Sequence, residues 1–205
     1  FIGSAETNGV FNITGGTGND SITGGLGNDT FTFVATTGLT SADTVDGGTG
    51  MDTIALTGNT VFTASNDFDN VKNIEVITLG NTSTAVAITT VDALVASGAT
   101  LTLTNAANSG ALTFIGSAET NGVFNITGGT GDDSITGGAG NDIIAGGTGN
   151  DSITGGLGND TVTFVATTGL TSADTVDGGA GTDTVVLTGN TVIAATNFNG
   201  VSNVE

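Results

Sequence analysis

Polar–apolar–polar triplets recur along the 205-residue chain, and each follows a glycine-rich hexapeptide. The combined pattern is G-G-x-G-x-D-x-U-x, where U is apolar, as in GGTGNDSIT at 15–23 and 146–154. Alternation with a period of two is typical of strands that bury one face, and Gly, Asn and Asp favour turns. The pattern therefore predicts short strands separated by tight turns. The U positions, expected in the core, are Ile22, Phe31, Val45, Ile54, Ile135, Ile144, Ile153, Val162, Val176 and Val185.

The nonapeptides lie inside a longer repeat. Residues 1–18 recur identically at 114–131, an offset of 113, and residues 32–48 recur at 163–179, an offset of 131. The second copy therefore carries 18 additional residues, which are two further nonapeptides. Because this insertion preserves the pattern on both sides, we expect two nonapeptides to form one coil. Stacked coils would give parallel strands about 4.8 Å apart.

Charge narrows the chemistry that the chain can perform. It has 20 acidic residues and a single basic one, Lys72, for a net charge of −19, and it contains no His, Cys or Arg. A Ser-His-Asp or Cys-His nucleophile and a zinc site with N/S ligands are therefore excluded. So are a phosphate clamp and a nucleic-acid surface, which need basic residues. The excess of Asp points to hard cations, above all calcium. The sequence shows no transmembrane segment, because no run of about 18 apolar residues occurs.

The nonapeptides resemble those of the repeats-in-toxin (RTX) parallel β-roll. Eight of them match the full pattern, and four are consecutive, at 128–163. The resemblance implies a roll that binds several calcium ions between its turns, in a protein that a bacterium exports by type I secretion and that folds on meeting external calcium. Less regular rungs rich in Thr, Ala and Gly accompany the nonapeptides. This combination resembles bacterial surface-layer proteins and large secreted matrix proteins.

We therefore predict an all-β, right-handed parallel β-solenoid in which calcium-binding β-roll segments alternate with β-helix-like rungs. The expected first unit covers 1–113, with a β-roll at 6–55 and rungs at 56–113. The second, partial unit covers 114–205, with a β-roll at 119–186 and rungs at 187–205. Near-identity of the units also predicts a fragment of a longer chain whose units stack end to end as a rod.

In a roll, neighbouring turns come from nonapeptides i and i+2, so one carboxylate from each turn, together with backbone carbonyls, can surround an ion. Asp also forms turns through local hydrogen bonds, but ten Asp in one phase, with no basic residue to relieve their repulsion, favour calcium. The expected pairs are Asp20–Asp43, Asp29–Asp52, Asp133–Asp151, Asp142–Asp160, Asp151–Asp174 and Asp160–Asp183. The predicted metal-site residues are Gly16, Gly18, Asp20, Gly25, Gly27, Asp29, Asp43, Gly48, Gly50, Asp52, Gly129, Gly131, Asp133, Gly138, Gly140, Asp142, Gly147, Gly149, Asp151, Gly156, Gly158, Asp160, Asp174, Gly179, Gly181 and Asp183.

Other charged residues receive structural interpretations. Glu6 and Glu119, in the repeated SAETNG segment, are expected to cap turns, and Lys72 is expected at the surface or paired with Asp69. Phe11 and Phe124 occupy the Asp position of in-phase VFNIT segments, so those turns offer carbonyls at most. Four acidic residues are expected to be solvated rim residues: Asp67, Asp69, Glu75 and Asp92.

For function, we expect a non-catalytic, calcium-dependent structural repeat of a secreted or cell-surface bacterial protein that self-associates into a surface layer, filament or extracellular matrix. The extension or ligand-binding region of a giant adhesin is an alternative. A third possibility is the export tail of a secreted enzyme, although the long repeat unit argues against it. We expect neither a nucleic-acid partner nor a transmembrane segment.

Overall fold

The computed structural model describes residues 3, 9–34, 37–58, 62–64, 67–80, 83–165, 168–189 and 193–205. In this part of the chain, 19 strands and one short 3₁₀ helix, Ala195–Phe198, follow one another. In chain order the strands are β1 (Asn12–Thr14), β2 (Ser21–Leu26), β3 (Thr30–Val34), β4 (Thr44–Thr49), β5 (Thr53–Thr57), β6 (Phe62–Ala64), β7 (Val71–Lys72), β8 (Val76–Leu79), β9 (Val86–Thr89), β10 (Thr100–Thr104), β11 (Leu112–Ile115), β12 (Val123–Gly129), β13 (Ser134–Thr136), β14 (Ile143–Gly147), β15 (Ser152–Leu157), β16 (Thr161–Val165), β17 (Thr175–Ala180), β18 (Thr184–Thr188) and β19 (Val201–Ser202).

Parallel pairing joins these strands into three sheets. The largest has nine strands in the order β1-β3-β5-β8-β10-β12-β14-β16-β18. The second runs β19-β17-β15-β13-β11-β9-β6, and the third, of three strands, runs β2-β4-β7. Successive strands of one sheet come from successive coils, with no antiparallel hairpin in the described residues. The predicted all-β parallel solenoid is confirmed.

The coil length follows the nonapeptides. Ser134 pairs with Ser152, an offset of 18 residues, as two nonapeptides per coil require. Ser152 pairs with Thr175 and Thr30 with Thr53, offsets of 23, because these coils carry five additional residues. The additional residues lie between β3 and β4 and between β16 and β17, where the structure describes residues 37–43 and 168–174.

Between the two rolls the coils are wider and less regular. Outside the strands, the backbone N–H groups of Asn73 and Ile74 donate to the carbonyls of Ala93 and Leu94, at 3.3 and 2.9 Å. This arrangement agrees with the predicted β-helix-like rungs. The division into two units stays a prediction, and its first roll begins at residue 6, outside the described residues.

Apolar side chains fill the space between the sheets. All U positions except Val185 are at most 4 % exposed, and Val185 packs against the core from its edge. Six phenylalanines are fully buried, and the rings of Phe114 and Phe124 meet edge to face, with centroids 5.0 Å apart. Because each strand buries alternate residues, its other side chains face outwards. This stack sets the glycine-rich turns of successive coils directly above one another.

Candidate metal centre

The carboxylate of each nonapeptide Asp reaches the preceding coil. In the pair Asp133–Asp151, Oδ1 of Asp151 accepts a hydrogen bond from the backbone N–H of Asp133 at 3.0 Å. All six pairs that the phase predicted make this contact, at 2.6–3.0 Å. Nine of the ten Asp side chains are at most 2 % exposed, and Asp20 is half-buried. The structure thus places each pair in adjoining turns; the role of these residues as metal ligands stays a prediction.

Successive contacts of this kind, from coil to coil, form what we call Asp ladders, and the ladders continue beyond the Asp pairs. At the N-terminal end of three ladders, the N–H groups of Phe11, Leu112 and Phe124 donate to Asp29, Asp133 and Asp142. At the other end, two of the ladders finish on a glutamate. Glu75 Oε2 accepts from the N–H of Asp52 at 2.8 Å, and Glu205 Oε2 accepts from the N–H of Asp183 at 2.7 Å.

The expectation that Glu75 is a solvated rim residue is wrong. Its side chain is half-buried and occupies the ladder position that Asp holds in the nonapeptides. The signal in the sequence is that Glu75 and Glu205 end matching segments, 67–75 and 197–205. Each follows the preceding Asp of its ladder by 22 or 23 residues, close to the spacing of the 23-residue coils.

The second carboxylate oxygen gives the clearest indication of a ligand. Six of the Asp residues have an Oδ2 atom that is buried and has no hydrogen-bond partner among the described residues: Asp29, Asp52, Asp133, Asp151, Asp160 and Asp183. An unpaired buried acceptor costs about 1–3 kcal/mol, and more when it is charged. Buried oxygens that lack a donor are the ligands that calcium prefers. The residues present therefore fit a calcium ion.

The first glycine of each nonapeptide completes this environment. A Cβ atom at Gly155 would overlap both Asp160 Oδ2 and the carbonyl oxygen of Gly178 in the next coil. Gly128 is enclosed in the same way by Asp133 Oδ2 and the carbonyl oxygen of Gly146. Sequence reasoning missed this position, although two consecutive glycines marked it. Seven of these first glycines have no room for a side chain: Gly24, Gly47, Gly128, Gly137, Gly146, Gly155 and Gly178.

Most of the glycines that were predicted from the sequence as metal-site residues act through their backbone conformation. Eleven of the sixteen have a positive φ, such as +105° at Gly147 and +138° at Gly149, a region that L side chains rarely adopt. The remaining five, Gly16, Gly18, Gly131, Gly138 and Gly140, have no positive φ. Of these, Gly18 has open space where a Cβ atom would lie.

Four Asp residues differ because donors of their own turn occupy Oδ2. In the degenerate turn GLTSAD, the N–H and Oγ1 of Thr40 donate to Asp43 Oδ2 at 2.7 and 2.9 Å. The N–H of Thr171 donates to Asp174 Oδ2 in the equivalent turn. Asp20 and Asp142 receive a similar bond from the second glycine of their nonapeptides. These carboxylates have less unused acceptor capacity than the other six.

Burial makes ionisation of the ladder costly. It raises the pKa of Asp133 from 3.8 to about 7, and it raises the pKa values of Asp52, Asp151 and Asp160 to about 6. Backbone hydrogen bonds oppose the rise, and the neighbouring carboxylates add to it. Two carboxylates about 4 Å apart repel by about 4 kcal/mol at an effective dielectric constant of 20. A cation bound in the ladder would remove both penalties.

The single basic residue does not pair with any carboxylate of the Asp ladders. Lys72 lies at the surface, as the first of the two expectations had it, and its Nζ lies 3.0 Å from Asp46 Oδ2, so its partner is Asp46 and not Asp69. Asp46 is the cross-strand neighbour of Lys72 on β4, which explains the choice. Of the other rim predictions, Asp69 and Asp92 are exposed and Asp67 is half-buried.

The acidic groups come together in pairs at most. Within the described residues, no group of three or more His, Cys, Asp or Glu side chains converges. An ion in a ladder would therefore take the rest of its oxygen ligands from backbone carbonyls or water, as calcium readily does. The acidic residue Glu6 lies outside the described part of the chain.

Comparison with known proteins agrees with this geometry. The family model of the RTX calcium-binding nonapeptide repeat (4 copies) matches residues 12–33, 126–162 and 168–190. Searches of curated proteins and of solved structures found no significant match. None of the helices in the described residues could span a membrane. The matched segments contain eight of the ten ladder Asp residues, all except Asp43 and Asp52, and their strands stack in parallel. These three segments match RTX calcium-binding nonapeptide repeats, and the parallel β-solenoid that contains them fits an RTX β-roll.

Proposed function

We propose that this chain is a calcium-dependent structural repeat, in which ions bound along the Asp ladders hold successive coils together. The observation that carries the proposal is the set of six buried Oδ2 atoms without a donor. RTX repeats imply calcium binding; the number of ions and their ligands belong to the proposal. The ligands would be the predicted Asp carboxylates, with carbonyl oxygens of the glycine-rich turns.

The two oxygens of each carboxylate have different tasks. Oδ1 fixes the register of adjoining turns by accepting the N–H of the preceding coil, as Asp160 does from Asp142 at 2.8 Å. Oδ2 lies against the first glycine of its own nonapeptide, close to a carbonyl oxygen of the next coil. A bound calcium ion would supply the positive charge that balances these negatively charged oxygens. The chain alone would keep several carboxylates buried close together, which opposes folding.

Several features support a structural role over a catalytic one. The RTX β-roll fold is typically structural and non-catalytic, and the sequence lacks His, Cys and Arg. Its two units are nearly identical over long stretches, which suits a repeated building element. We infer a surface-layer, filament or matrix protein of a bacterium, and propose export by type I secretion because RTX repeats are characteristic of secreted proteins.

The largest sheet supplies a surface for self-association. Its nine described strands contain no charged residue, although the chain has a net charge of −19. Outward side chains on these strands are mostly Thr with some Val and Ala; Thr30 pairs in register with Thr53, and Thr161 with Thr184. A flat neutral face would let two rods pack side by side without repulsion between their acidic turns. The adhesin alternative shares this rod but needs a ligand-binding region.

Calcium removal tests the proposal. In excess chelator at neutral pH, the far-UV circular dichroism signal of β structure should be lost, and it should return with calcium at micromolar-to-millimolar concentrations, as at extracellular sites. The melting temperature should then rise with calcium concentration, because the ion binds the folded chain only. A chain that is fully folded in chelator would refute the proposal. Electron microscopy of the native assembly would distinguish a lattice or fibre from an isolated adhesin stalk.

A further inference from the structure

One buried carboxylate outside the nonapeptides is only half used. Glu119 is 1 % exposed, and its Oε1 accepts hydrogen bonds from the N–H groups of Asn121 and Gly122, at 3.0 and 2.8 Å. This agrees with the turn-capping role expected from the sequence. Its other oxygen, Oε2, is buried and has no hydrogen-bond partner among the described residues. Capping therefore explains one oxygen of Glu119 and leaves the second without a function.

Glu119 lies beside the first ladder carboxylate of its edge, Asp142. The N–H of Gly138 donates to Asp142 Oδ2 at 2.7 Å, and a Cβ atom at Gly138 would lie 3.2 Å from the Cβ of Glu119. Gly138 therefore binds the Asp142 carboxylate through its N–H and lies beside the backbone oxygen and the Cβ of Glu119. Burial raises the pKa of Asp142, and the charge of Glu119 adds to the rise against the lowering effect of two backbone hydrogen bonds. The two groups are close enough to repel each other.

The position of Glu119 replaces a ligand that the ladder lacks. Asp142 receives the N–H of Phe124 at 2.7 Å, so Phe124 occupies the place of an Asp in the preceding coil. Two carboxylates from adjoining coils cannot meet there, because Phe124 brings none. Glu119 stands five residues earlier, and its negative charge acts on Asp142. By contrast, the N–H of Leu112 begins the Asp133 ladder, and no acidic side chain accompanies it in the described structure.

Space is available next to Glu119. A cavity of about 340 Å³ is lined by Glu119, Thr120, Thr136 and the turn at 137–139, whose Gly138 binds Asp142. An ion between Glu119 and this turn would meet the Glu119 carboxylate, carbonyls of the turn and water, which are oxygen ligands of the kind that calcium uses. The cavity opens to solvent, so the ion has a route of entry.

We propose that Glu119 and Asp142 together bind a calcium ion that closes the first coil of the C-terminal roll. This inference rests on the proposed calcium-binding function and adds a site outside the nonapeptide pattern. The ion joins a turn of the irregular rungs, 117–122, to the first regular coil. The two kinds of rung would then be stabilised by the same ligand.

Calcium counting tests the site. In Glu119→Gln the Oε1 cap is retained while the charge is removed, so equilibrium dialysis against calcium chloride should find one ion fewer than in the wild-type chain, with an unchanged far-UV spectrum. Asp92→Asn is the matched control: it removes one charge from an exposed residue that hydrogen-bonds Thr120 and should bind as many ions as wild type. Asp142→Asn should lose the Glu119 ion together with any ladder ion shared with Asp160, and adding Glu119→Gln should remove no further ion.

Each outcome decides between the two proposals. Equal ion numbers in the wild type and a folded Glu119→Gln variant would overturn this inference and leave the calcium ladder intact. A wild-type chain that binds no calcium would overturn the proposed function itself. Should Glu119→Gln fail to fold, Glu119→Asp keeps the charge but shortens its reach, so one site should lose affinity. A binding isotherm identical to wild type would then contradict the site.

Discussion

Acid should partly replace calcium, because protons neutralise the same buried carboxylates. The pKa of Asp133 is raised to about 7, and those of Asp52, Asp151 and Asp160 to about 6, all from 3.8. Shifts of about two to three units, at about 1.4 kcal/mol each, cost about 3 kcal/mol per ionised group. The four groups then oppose folding by on the order of 10 kcal/mol, comparable with the whole stability of a domain.

The direction in which stability changes with pH follows from proton binding. Because the folded-state pKa values lie above the unfolded value, the folded chain binds more protons between about pH 4 and 7, and its stability falls as the pH rises through this window. Without calcium, the chain should be unfolded at about pH 8 and gain β structure towards about pH 5.

The assay is a far-UV circular dichroism titration in chelator, repeated in saturating calcium. With calcium the fold should persist at pH 8, and acidification should weaken ion binding as protons compete for the carboxylates. Asp160→Asn should move the calcium-free folding midpoint to higher pH, since it removes one buried charge. Asp69→Asn, at an exposed position, should leave the midpoint in place. A calcium-free chain that is folded equally at pH 5 and 8, or that unfolds on acidification, would refute the electrostatic argument.

Three further substitutions have defined outcomes. Asp151→Ala should lose bound calcium and lower the melting temperature in calcium far more than Asp67→Ala, because Asp151 belongs to two successive ladder contacts; equal ion counts and equal melting temperatures would contradict the assignment. Gly155→Ala should destabilise the folded chain by about 1–3 kcal/mol through overpacking, whereas Gly18→Ala, into open space, should cost about 0.5 kcal/mol or less; urea unfolding in calcium compares them, and similar midpoints would disprove the crowding. Phe164→Ala, at a buried core position, should cost about 3–5 kcal/mol by the same assay, and a cost below about 1 kcal/mol would contradict its place in the core.

The regular part of this molecule could be predicted because one local rule repeats. Alternation within each triplet placed Ile135, Ile144 and Ile153 in the core, and all three are buried. The 18-residue insertion gave the coil length, which the pairing of Ser134 with Ser152 reproduces. With the coil length known, the neighbours of every Asp followed by counting.

Features that depend on contacts between coils escaped prediction. Glu75 joins a ladder through Asp52, 23 residues away, and its local sequence resembles a polar rim. Lys72 selects Asp46 across two strands, not Asp69 along the chain. The first glycines, such as Gly155, are needed because of a carbonyl from another coil. Single-residue propensities contain no information on such neighbours, whereas the register of the stack determines them.

The constant register between coils also affects how such a chain can change its length. In the described sheets, each strand pairs only with strands of the coils directly above and below it, and the register continues across 18-residue steps, as between Ile126, Ile144 and Val162. A coding stretch copied once in frame would therefore lengthen the rod by a single strand spacing, about 4.8 Å, without disturbing any other contact. Replication slippage across near-identical repeats produces such copies. Rod length can thus vary among lineages in discrete steps while the packing of each coil stays unchanged.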